Sequence, residues 1–226
     1  MPLGRPFTTV AGLLKKLGGI PAERALLDPA PGTATEKDVL AVEQRQGRIC
    51  EMVDGVLVEK AKGLAESFLA LEIAFLLRQF LAKHNLGILA GADGTLRLWP
   101  GLVPIPDVSF ISWDQLPNHT IRKKAIPDLY PDLAVEVISR KNTKAEIDRK
   151  LHEYFRSGTR VAGVVDPRKI CVRVHTAPDQ SQLIEVDQSL DDGDVLPGLT
   201  LPLRDMFSKL EVRTPPRQAA KKKRSR

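Results

Sequence analysis

Two carboxylates near the middle of the chain occupy sequence contexts in which they could bind a metal ion. Glu136 lies inside the apolar run Leu133–Ile138, which predicts a buried strand. A charge buried there must be paired, neutralised or metal-bound, because an isolated buried ion is costly. Asp107 follows Pro106 at the start of a second predicted strand. Strand alternation places Glu136 on the face opposite its two valine neighbours. Two such carboxylates on neighbouring strands could face one cleft.

A lysine on the following predicted helix completes this pattern. Carboxylates from neighbouring strands can bind a hard divalent cation, here Mg²⁺ or Mn²⁺, and leave positions for water and phosphate. Such a metal activates water and offsets charge during phosphodiester hydrolysis. Lys150 lies three residues after Ile147 and four before Tyr154, at the border of an apolar helix stripe. The pattern indicates metal-dependent phosphodiester hydrolysis by Asp107, Glu136 and Lys150.

Each of these residues also has a purely structural interpretation. A Pro-Asp pair is common in turns, Glu136 could form an ion pair with an arginine, and Lys150 could lay its stem along the core. Taken one at a time, the structural interpretations are favoured. Together the three residues favour the functional interpretation, because an acid, a second acid and a lysine follow one another along a buried strand and its following helix.

The elements that must position these residues follow from periodicity and turn residues. Asp54-Gly55 between alternating apolar runs predicts a hairpin. Apolar residues at three-to-four spacing predict an amphipathic helix over Leu64–Lys83, with its apolar face at Leu64, Phe68, Leu71, Phe75 and Leu76. A second helix is predicted over Thr143–Ser157. Further strands are predicted at Gly87–Ala90, Thr95–Trp99, Val108–Ile111, Arg160–Val165 and Ile170–His175.

The chain is predicted to form one α/β domain with two appendages. Residues 1–47 form an N-terminal arm packed on the core, in which Thr35 and Asp38 predict a helix start. Residues 48–212 form the main domain. Residues 213–226 are rich in proline, lysine and arginine and are predicted to be a disordered basic tail.

Composition excludes several other classes of protein. Hydrophobic residues make up 42% of the chain and charged residues 27%, as in ordinary globular proteins. We expect a cytoplasmic protein without a membrane segment, because no apolar run reaches the length of a membrane-spanning helix. The two cysteines and four histidines have no metal-ligand spacing, which argues against a zinc site.

The positive charge is concentrated at the C-terminus. The formal net charge is +6, and six of the 34 basic residues lie at positions 217–226. The remaining 28 basic residues balance the 28 acidic ones. Such a tail could attract phosphates through counterion release, although terminal basic runs are often only solubilising.

The motifs of this chain resemble those of the Uma-two family of restriction endonucleases, within the PD-(D/E)XK nuclease superfamily. The resemblance runs from about Arg48 to Phe207. It depends on seven segments, Glu51–Val58, Gly91–Arg97, Ile105–Phe110, Pro131–Ser139, Arg149–Tyr154, Val165–Pro167 and Leu196–Gly198.

The resemblance implies a restriction-endonuclease-like core, a mixed β-sheet flanked by helices. It implies Asp107 and Glu136 as ligands of Mg²⁺ or Mn²⁺ and Lys150 as the catalytic lysine. The superfamily's lysine usually stands two residues after the acid, where this chain has Ile138. The role would therefore have moved to Lys150 on the helix.

Two further glutamates are candidates for the same site. Glu66 matches a position where related nucleases place a supporting acid, and an exposed helix glutamate is an equally good interpretation. Glu51, beside the hairpin, is a weaker candidate.

The sequence leaves three functions open. The leading hypothesis is a metal-dependent endonuclease that hydrolyses DNA, with a homodimer as the symmetric way to cut both strands. The second is a catalytically inactive DNA-binding or interaction module that retains the nuclease fold. The third is a nuclease acting on RNA or a repair intermediate, which the lack of an aromatic-rich strand platform disfavours.

Overall fold

A computed structural model describes residues 7–61, 63–121, 123–191, 193–208 and 210. The α-helices are α1 Val10–Lys16, α2 Glu36–Gln46, α3 Leu64–His84, α4 Lys144–Ser157 and α5 Leu203–Phe207. The strands are β1 Cys50–Val53, β2 Val56–Glu59, β3 Gly87–Ala90, β4 Leu102–Val103, β5 Val108–Ser112, β6 Leu133–Val137, β7 Val161–Asp166, β8 Cys171–Ala177, β9 Gln180–Glu185, β10 Ser189–Asp191 and β11 Thr200–Pro202.

The main sheet has six strands in the order β3-β5-β6-β7-β8-β9. Strands β6 and β7 are parallel, and α4 connects them as a crossover helix. The other neighbouring strands of this sheet are antiparallel. The prediction of an α/β fold with a mixed sheet flanked by helices is confirmed.

The two faces of β6 belong to different packing environments. Val135 and Val137 join the largest apolar cluster, which includes the buried face of α3. Ile138, which continues the opposite face, packs with the apolar residues of α4. Glu136 therefore lies on the face opposite Val135 and Val137, as alternation predicted, and the structure shows that this is the α4 side of the sheet.

A second, three-stranded sheet has the order β2-β1-β4. The β1–β2 hairpin turns at Asp54 and Gly55, which both have positive φ, as the Asp-Gly pair predicted. Leu13 and Leu17 of the N-terminal segment pack against this sheet, and α2 packs on its other side. The domain boundaries proposed at residues 47 and 212 stay predictions, and the basic tail 213–226 lies outside the described residues.

Helix α4 begins and ends as its sequence predicts. The Thr143 hydroxyl accepts a hydrogen bond from the Glu146 amide, and Gly158 ends the helix in the left-handed region. The first turn of α4 lies against Gly18, where an added Cβ would approach the Glu146 amide nitrogen to 2.5 Å. Gly18 therefore permits the chain after α1 to approach α4 closely.

Helix α3 forms where predicted, but with a different face toward the core. Its buried residues are Leu69, Ala70, Ile73, Leu77 and Leu81. Three members of the predicted apolar face, Leu64, Leu71 and Phe75, are more than half exposed. The predicted face was wrong because α3 carries apolar residues around most of its circumference, so that spacing alone selects no single stripe.

The predicted strand at Thr95–Trp99 is also wrong. This segment is irregular, apart from one isolated bridge between Trp99 and Leu102. The amides of Leu96 and Arg97 donate to the carbonyls of Pro104 and Pro127. Because prolines have no amide hydrogen, neither partner can return a hydrogen bond to build a regular ladder.

Candidate active site

Glu136 lies near the carboxyl end of β6 and faces α4. Its two carboxylate oxygens accept hydrogen bonds from the Lys150 ammonium at 2.9 and 3.0 Å. The Tyr154 hydroxyl donates to Oε1 at 2.5 Å. Lys150 and Tyr154 are one turn apart on α4, so the helix presents both to the same carboxylate. The buried acid that needed a partner is therefore paired with an ammonium and a phenol.

Glu51 is the second carboxylate that contacts Lys150. It lies on β1 with its side chain almost fully buried, and its Oε1 is 2.7 Å from the Lys150 ammonium. The same oxygen accepts a hydrogen bond from the Ile105 amide at 3.0 Å. Lys150 thus joins the small sheet to the main sheet through two carboxylates.

Asp107 is attached to β6 directly beside Glu136. Its Oδ2 accepts a hydrogen bond from the Val137 amide at 2.7 Å, and its own amide donates to the Val135 carbonyl. Its Oδ1 is 2.9 Å from the ammonium of Lys60, which also donates to the Ile105 carbonyl at 2.7 Å. We name Glu51, Lys60, Asp107, Glu136 and Lys150 the acid–lysine cluster.

Burial and the neighbouring charges change the pKa values within the acid–lysine cluster. Burial, reinforced by the Asp107 and Glu51 charges, raises the pKa of Glu136 to about 7, although Lys150 and Lys60 oppose this. Burial also acts against ionised Glu51, but Lys150, Lys60 and hydrogen bonds outweigh it and lower its pKa. Burial disfavours charged Lys150, yet Glu136 and Glu51 keep its pKa above the ordinary value. Burial and the neighbouring carboxylates therefore favour the protonated form of Glu136 more than is usual for a glutamate.

The donor atoms of the cluster fit Mg²⁺ or Mn²⁺ by chemical type. Both ions prefer oxygen ligands, and Mg²⁺ commonly uses one or two carboxylates together with waters and phosphate. The described residues contain no group of three or more His, Cys, Asp or Glu arranged to hold a metal. Asp107 has the most exposed of the three carboxylates, with 15% of its side chain accessible. A two-carboxylate site at Asp107 and Glu136 would require Lys60 to release Asp107.

A buried ion pair holds α4 against the small sheet. The guanidinium of Arg24 donates to both oxygens of Glu146 at 2.9 and 2.7 Å. It also donates to the carbonyl of Glu59, at the end of β2. This contact keeps the helix that bears Lys150 beside the strands that bear Glu51 and lead to Lys60.

A protein-family model matches most of the chain. The model of Uma2, described as "Putative restriction endonuclease", matches residues 37–204. The chain belongs to the Uma2 family. The resemblance seen in the sequence motifs is thereby confirmed.

A solved structure supports the fold of this Uma2 chain. It is the crystal structure of "a putative nuclease belonging to DUF820" from Anabaena variabilis, with a TM-score of 0.64 and 17% sequence identity. The match covers 73% of this chain and 93% of that chain. At this identity the likeness concerns the fold. A search among curated proteins finds no match, and no helix among the described residues is long and apolar enough to cross a membrane.

Of the four residues predicted for the site, the structure of this Uma2 chain brings three together. Asp107, Glu136 and Lys150 share the cluster. Glu66 lies in the first turn of α3 with its carboxylate folded back toward Gly63. Among the described residues, no hydrogen bond or ion pair joins Glu66 to the other three.

Three members of the site were undervalued from the sequence. Glu51 lies in the buried strand β1 and carries the same signal as Glu136, a charge inside an apolar run. Lys60 follows β2 without any periodic signal. Tyr154 was assigned to the apolar stripe of α4, and its hydroxyl contact depends on how the helix packs.

Proposed function

We propose that the chain is a Mg²⁺- or Mn²⁺-dependent endonuclease that hydrolyses DNA phosphodiester bonds. One observation carries the proposal. Asp107, directly before β5, and Glu136, on the adjacent strand β6, share a buried cluster with Lys150 in a member of a family described as "Putative restriction endonuclease". Such a concentration of buried charge costs stability, and strongly perturbed charged groups cluster at functional sites.

The residues divide the work of this reaction. Asp107 and Glu136 would hold the metal, which when bound activates water and offsets charge on the phosphate. The Val137 amide keeps Asp107 in register with Glu136. Lys150 balances the charge of Glu136 and Glu51, and Tyr154 orients Glu136. Lys60 lies at the more exposed end, beside Asp107, where an approaching phosphate would meet its ammonium.

A second function is favoured by one specific observation. Both oxygens of Glu136 accept hydrogen bonds from Lys150, and Lys60 is paired with Asp107. A catalytically inactive DNA-binding or interaction module could keep these pairs closed and bind no metal. Mn²⁺ titration separates the two functions, because only the endonuclease needs metal affinity that Asp107→Asn abolishes.

Nicking of supercoiled plasmid tests the proposal directly. Wild-type protein should nick DNA with Mg²⁺ or Mn²⁺ and stop in chelator, and Asp107→Asn and Glu136→Gln should be inactive. Asp132→Asn is the matched control, since Asp132 is a buried carboxylate at the other end of β6. Metal-dependent nicking that survives Glu136→Gln would show that the assignment of the site is wrong.

The predicted homodimer belongs to the same proposal. A dimer would place two clusters on the two strands of a duplex. Sedimentation of the protein with and without duplex DNA measures its mass. Simultaneous double-strand cutting by a species that stays monomeric would contradict a dimeric mechanism.

A further inference from the structure

A groove of about 640 Å³ lies between α4 and the strands β7, β8 and β9. Lys144, Ile147, Asp148 and Leu151, at one-turn spacing, form its α4 wall. Lys150 and Tyr154 project from the other flank of α4, toward Glu136. The groove is therefore a second concavity on the same face of the sheet, separated from the acid–lysine cluster by the helix. We name it the α4–β9 groove.

The α4–β9 groove combines an apolar floor with a basic rim. Leu151, Val164 and Leu183 contribute to the floor, and Leu183 is 40% exposed on the edge strand. The charged lining residues are the bases Lys144, Arg168, Lys169 and Arg173 and the acids Asp148 and Asp166. With histidine neutral, the lining has a formal excess of two positive charges.

Two of the rim cations are available to a ligand. Lys169 and Arg173 are both exposed, and neither side chain forms an ion pair with a carboxylate among the described residues. Arg173 makes a single long hydrogen bond of 3.3 Å to the Ser181 hydroxyl. Exposed guanidinium and ammonium groups next to a cavity are ready partners for phosphate.

A buried histidine lies in the wall of the same groove. His175 is 7% exposed, and its Nδ1 has no hydrogen-bond partner among the described residues. Burial, together with the nearby Arg173 charge, lowers the pKa of His175 below its ordinary value, although Asp148 and the backbone of Ala177 and Pro178 oppose this. The imidazole is therefore neutral at pH 7. Because Nδ1 is also sealed from solvent, a ligand in the groove meets the imidazole as a flat ring surface and not through that nitrogen.

We propose that the α4–β9 groove binds one unpaired nucleotide. The base packs on the apolar floor and on the His175 ring, and the phosphate binds Lys169 and Arg173. A ligand that suits this lining has an anion at one end and a flat body that packs on apolar surface at the other, and a nucleotide has both. The volume lies within the range of small-ligand sites. This inference deepens the proposed function. It rests on that function only for the claim that the nucleotide belongs to a DNA strand.

Binding in chelator tests this assignment without cleavage. The full chain is titrated with a fluorescent single-stranded oligothymidylate, and separately with free thymidine monophosphate and inorganic phosphate. Arg173→Gln removes a charged partner of the phosphate and should weaken nucleotide binding by about tenfold. His175→Ala removes the ring on which the base packs and should weaken binding by about tenfold as well. Arg204→Gln, an exposed arginine on α5, is the control and should bind like wild type.

The outcomes separate the possible ligands. Binding of the strand, or of the free monophosphate alone, that both variants weaken supports a nucleotide site and identifies its source. The proposal would be overturned if all variants bound equally, or if inorganic phosphate competed as strongly as thymidine monophosphate. It would also be overturned if the binding of blunt duplex depended on these two residues to the same degree. Thermal midpoints show whether His175→Ala is folded, and Arg173→Gln, an exposed change, tests the site independently. If wild type nicks plasmid but both variants bind the nucleotide as tightly as wild type, the inference fails and the proposed function stands.

Discussion

At the scale of single residues, Lys150 balances two buried carboxylates, and this constrains any test of its role. Its ammonium is 2.7 Å from Glu51 and 2.9 Å from Glu136. Removing one partner of a buried pair leaves an uncompensated charge and typically costs about 3–5 kcal/mol. Lys150→Met would therefore lose stability as well as charge. Replacing a carboxylate by its neutral amide, as in Glu51→Gln, tests the site more directly.

The supporting acid of the site is expected to be Glu51. Glu51→Gln should lower the nicking rate on the order of 10²-fold, the scale seen when one preorganised electrostatic interaction is removed. Glu66→Gln, on α3, is the matched comparison, and both rates are measured on supercoiled plasmid at saturating Mg²⁺. A large loss in Glu66→Gln with full activity in Glu51→Gln would reverse the assignment.

Lys60 is expected to compete with the metal for Asp107. Its ammonium is 2.9 Å from Oδ1 of Asp107, so Lys60→Met frees that oxygen and removes one positive charge. Mn²⁺ affinity, measured by calorimetry, should rise by roughly tenfold, a change of about 1.4 kcal/mol. Lys83→Met, an exposed change at the end of α3, should leave it unchanged. Weaker metal binding in Lys60→Met would mean that the lysine assists the ion.

His175 should make the protein sensitive to acid. Burial and Arg173 lower its pKa, so below pH 6.5 the unfolded chain gains a proton that the folded protein resists. The free energy of unfolding should therefore fall as pH drops below 6.5, by at most about 1.4 kcal/mol per pH unit from this group. His175→Phe should flatten the slope in urea titrations between pH 7 and 5 relative to wild type. Parallel slopes for wild type and His175→Phe would contradict this.

At the scale of elements, α4 is the wall shared by two sites. One flank carries Lys150 and Tyr154 to Glu136, and the other lines the α4–β9 groove with Ile147 and Leu151. The buried Arg24–Glu146 pair anchors the first turn. A change that shifts α4 is therefore expected to disturb both sites, whereas a change on one flank affects one.

Helix α3 offers a direct test of which face packs. Leu69 is fully buried and Leu71 is 69% exposed, two positions further along. Leu69→Ala should destabilise by about 2–5 kcal/mol through reduced burial and a cavity. Leu71→Ala should change stability by less than about 0.5 kcal/mol. Equal losses in urea denaturation would mean that Leu71 packs against a partner in solution.

At the scale of the whole molecule, the acid–lysine cluster lies where two sheets meet. The main sheet contributes Asp107 and Glu136, and the small sheet contributes Glu51, with Lys60 directly after β2. The N-terminal segment supports the small sheet through Leu13 and Leu17. The site is thus expected to depend on the docking of this segment, although the segment supplies none of the cluster residues.

The C-terminal basic residues are expected to add DNA affinity without adding specificity. Truncation after Thr214 removes six basic residues from a chain whose remaining formal charge is balanced. Affinity for random duplex should fall, and its salt dependence should become shallower by about 0.9 for each phosphate that the tail neutralises in the full chain. Fluorescence anisotropy at several salt concentrations measures both. An unchanged slope would show that the tail does not contact phosphate.

Several features follow from the sequence by itself because their signals are local. The Asp-Gly hairpin, the cap and stop of α4, and the burial of a charge in β6 each depend on neighbouring residues. Alternation then placed Glu136 on the face opposite Val135 and Val137, and helix spacing placed Lys150 at the border of the apolar stripe of α4. Glu136 and Lys150 are only 14 positions apart, and the short elements with regular periods that carry them constrain both strongly.

Only the tertiary structure decided the rest, because the deciding contacts join distant segments. Glu51 and Lys150 are 99 positions apart, and their ion pair exists only once the small sheet docks on α4. The face of α3 was settled by which of its apolar residues the sheet could bury. Strand β9 is polar and mostly exposed, so it carries no alternating signal and forms by pairing with β8. The α4–β9 groove that it closes was therefore invisible in the sequence.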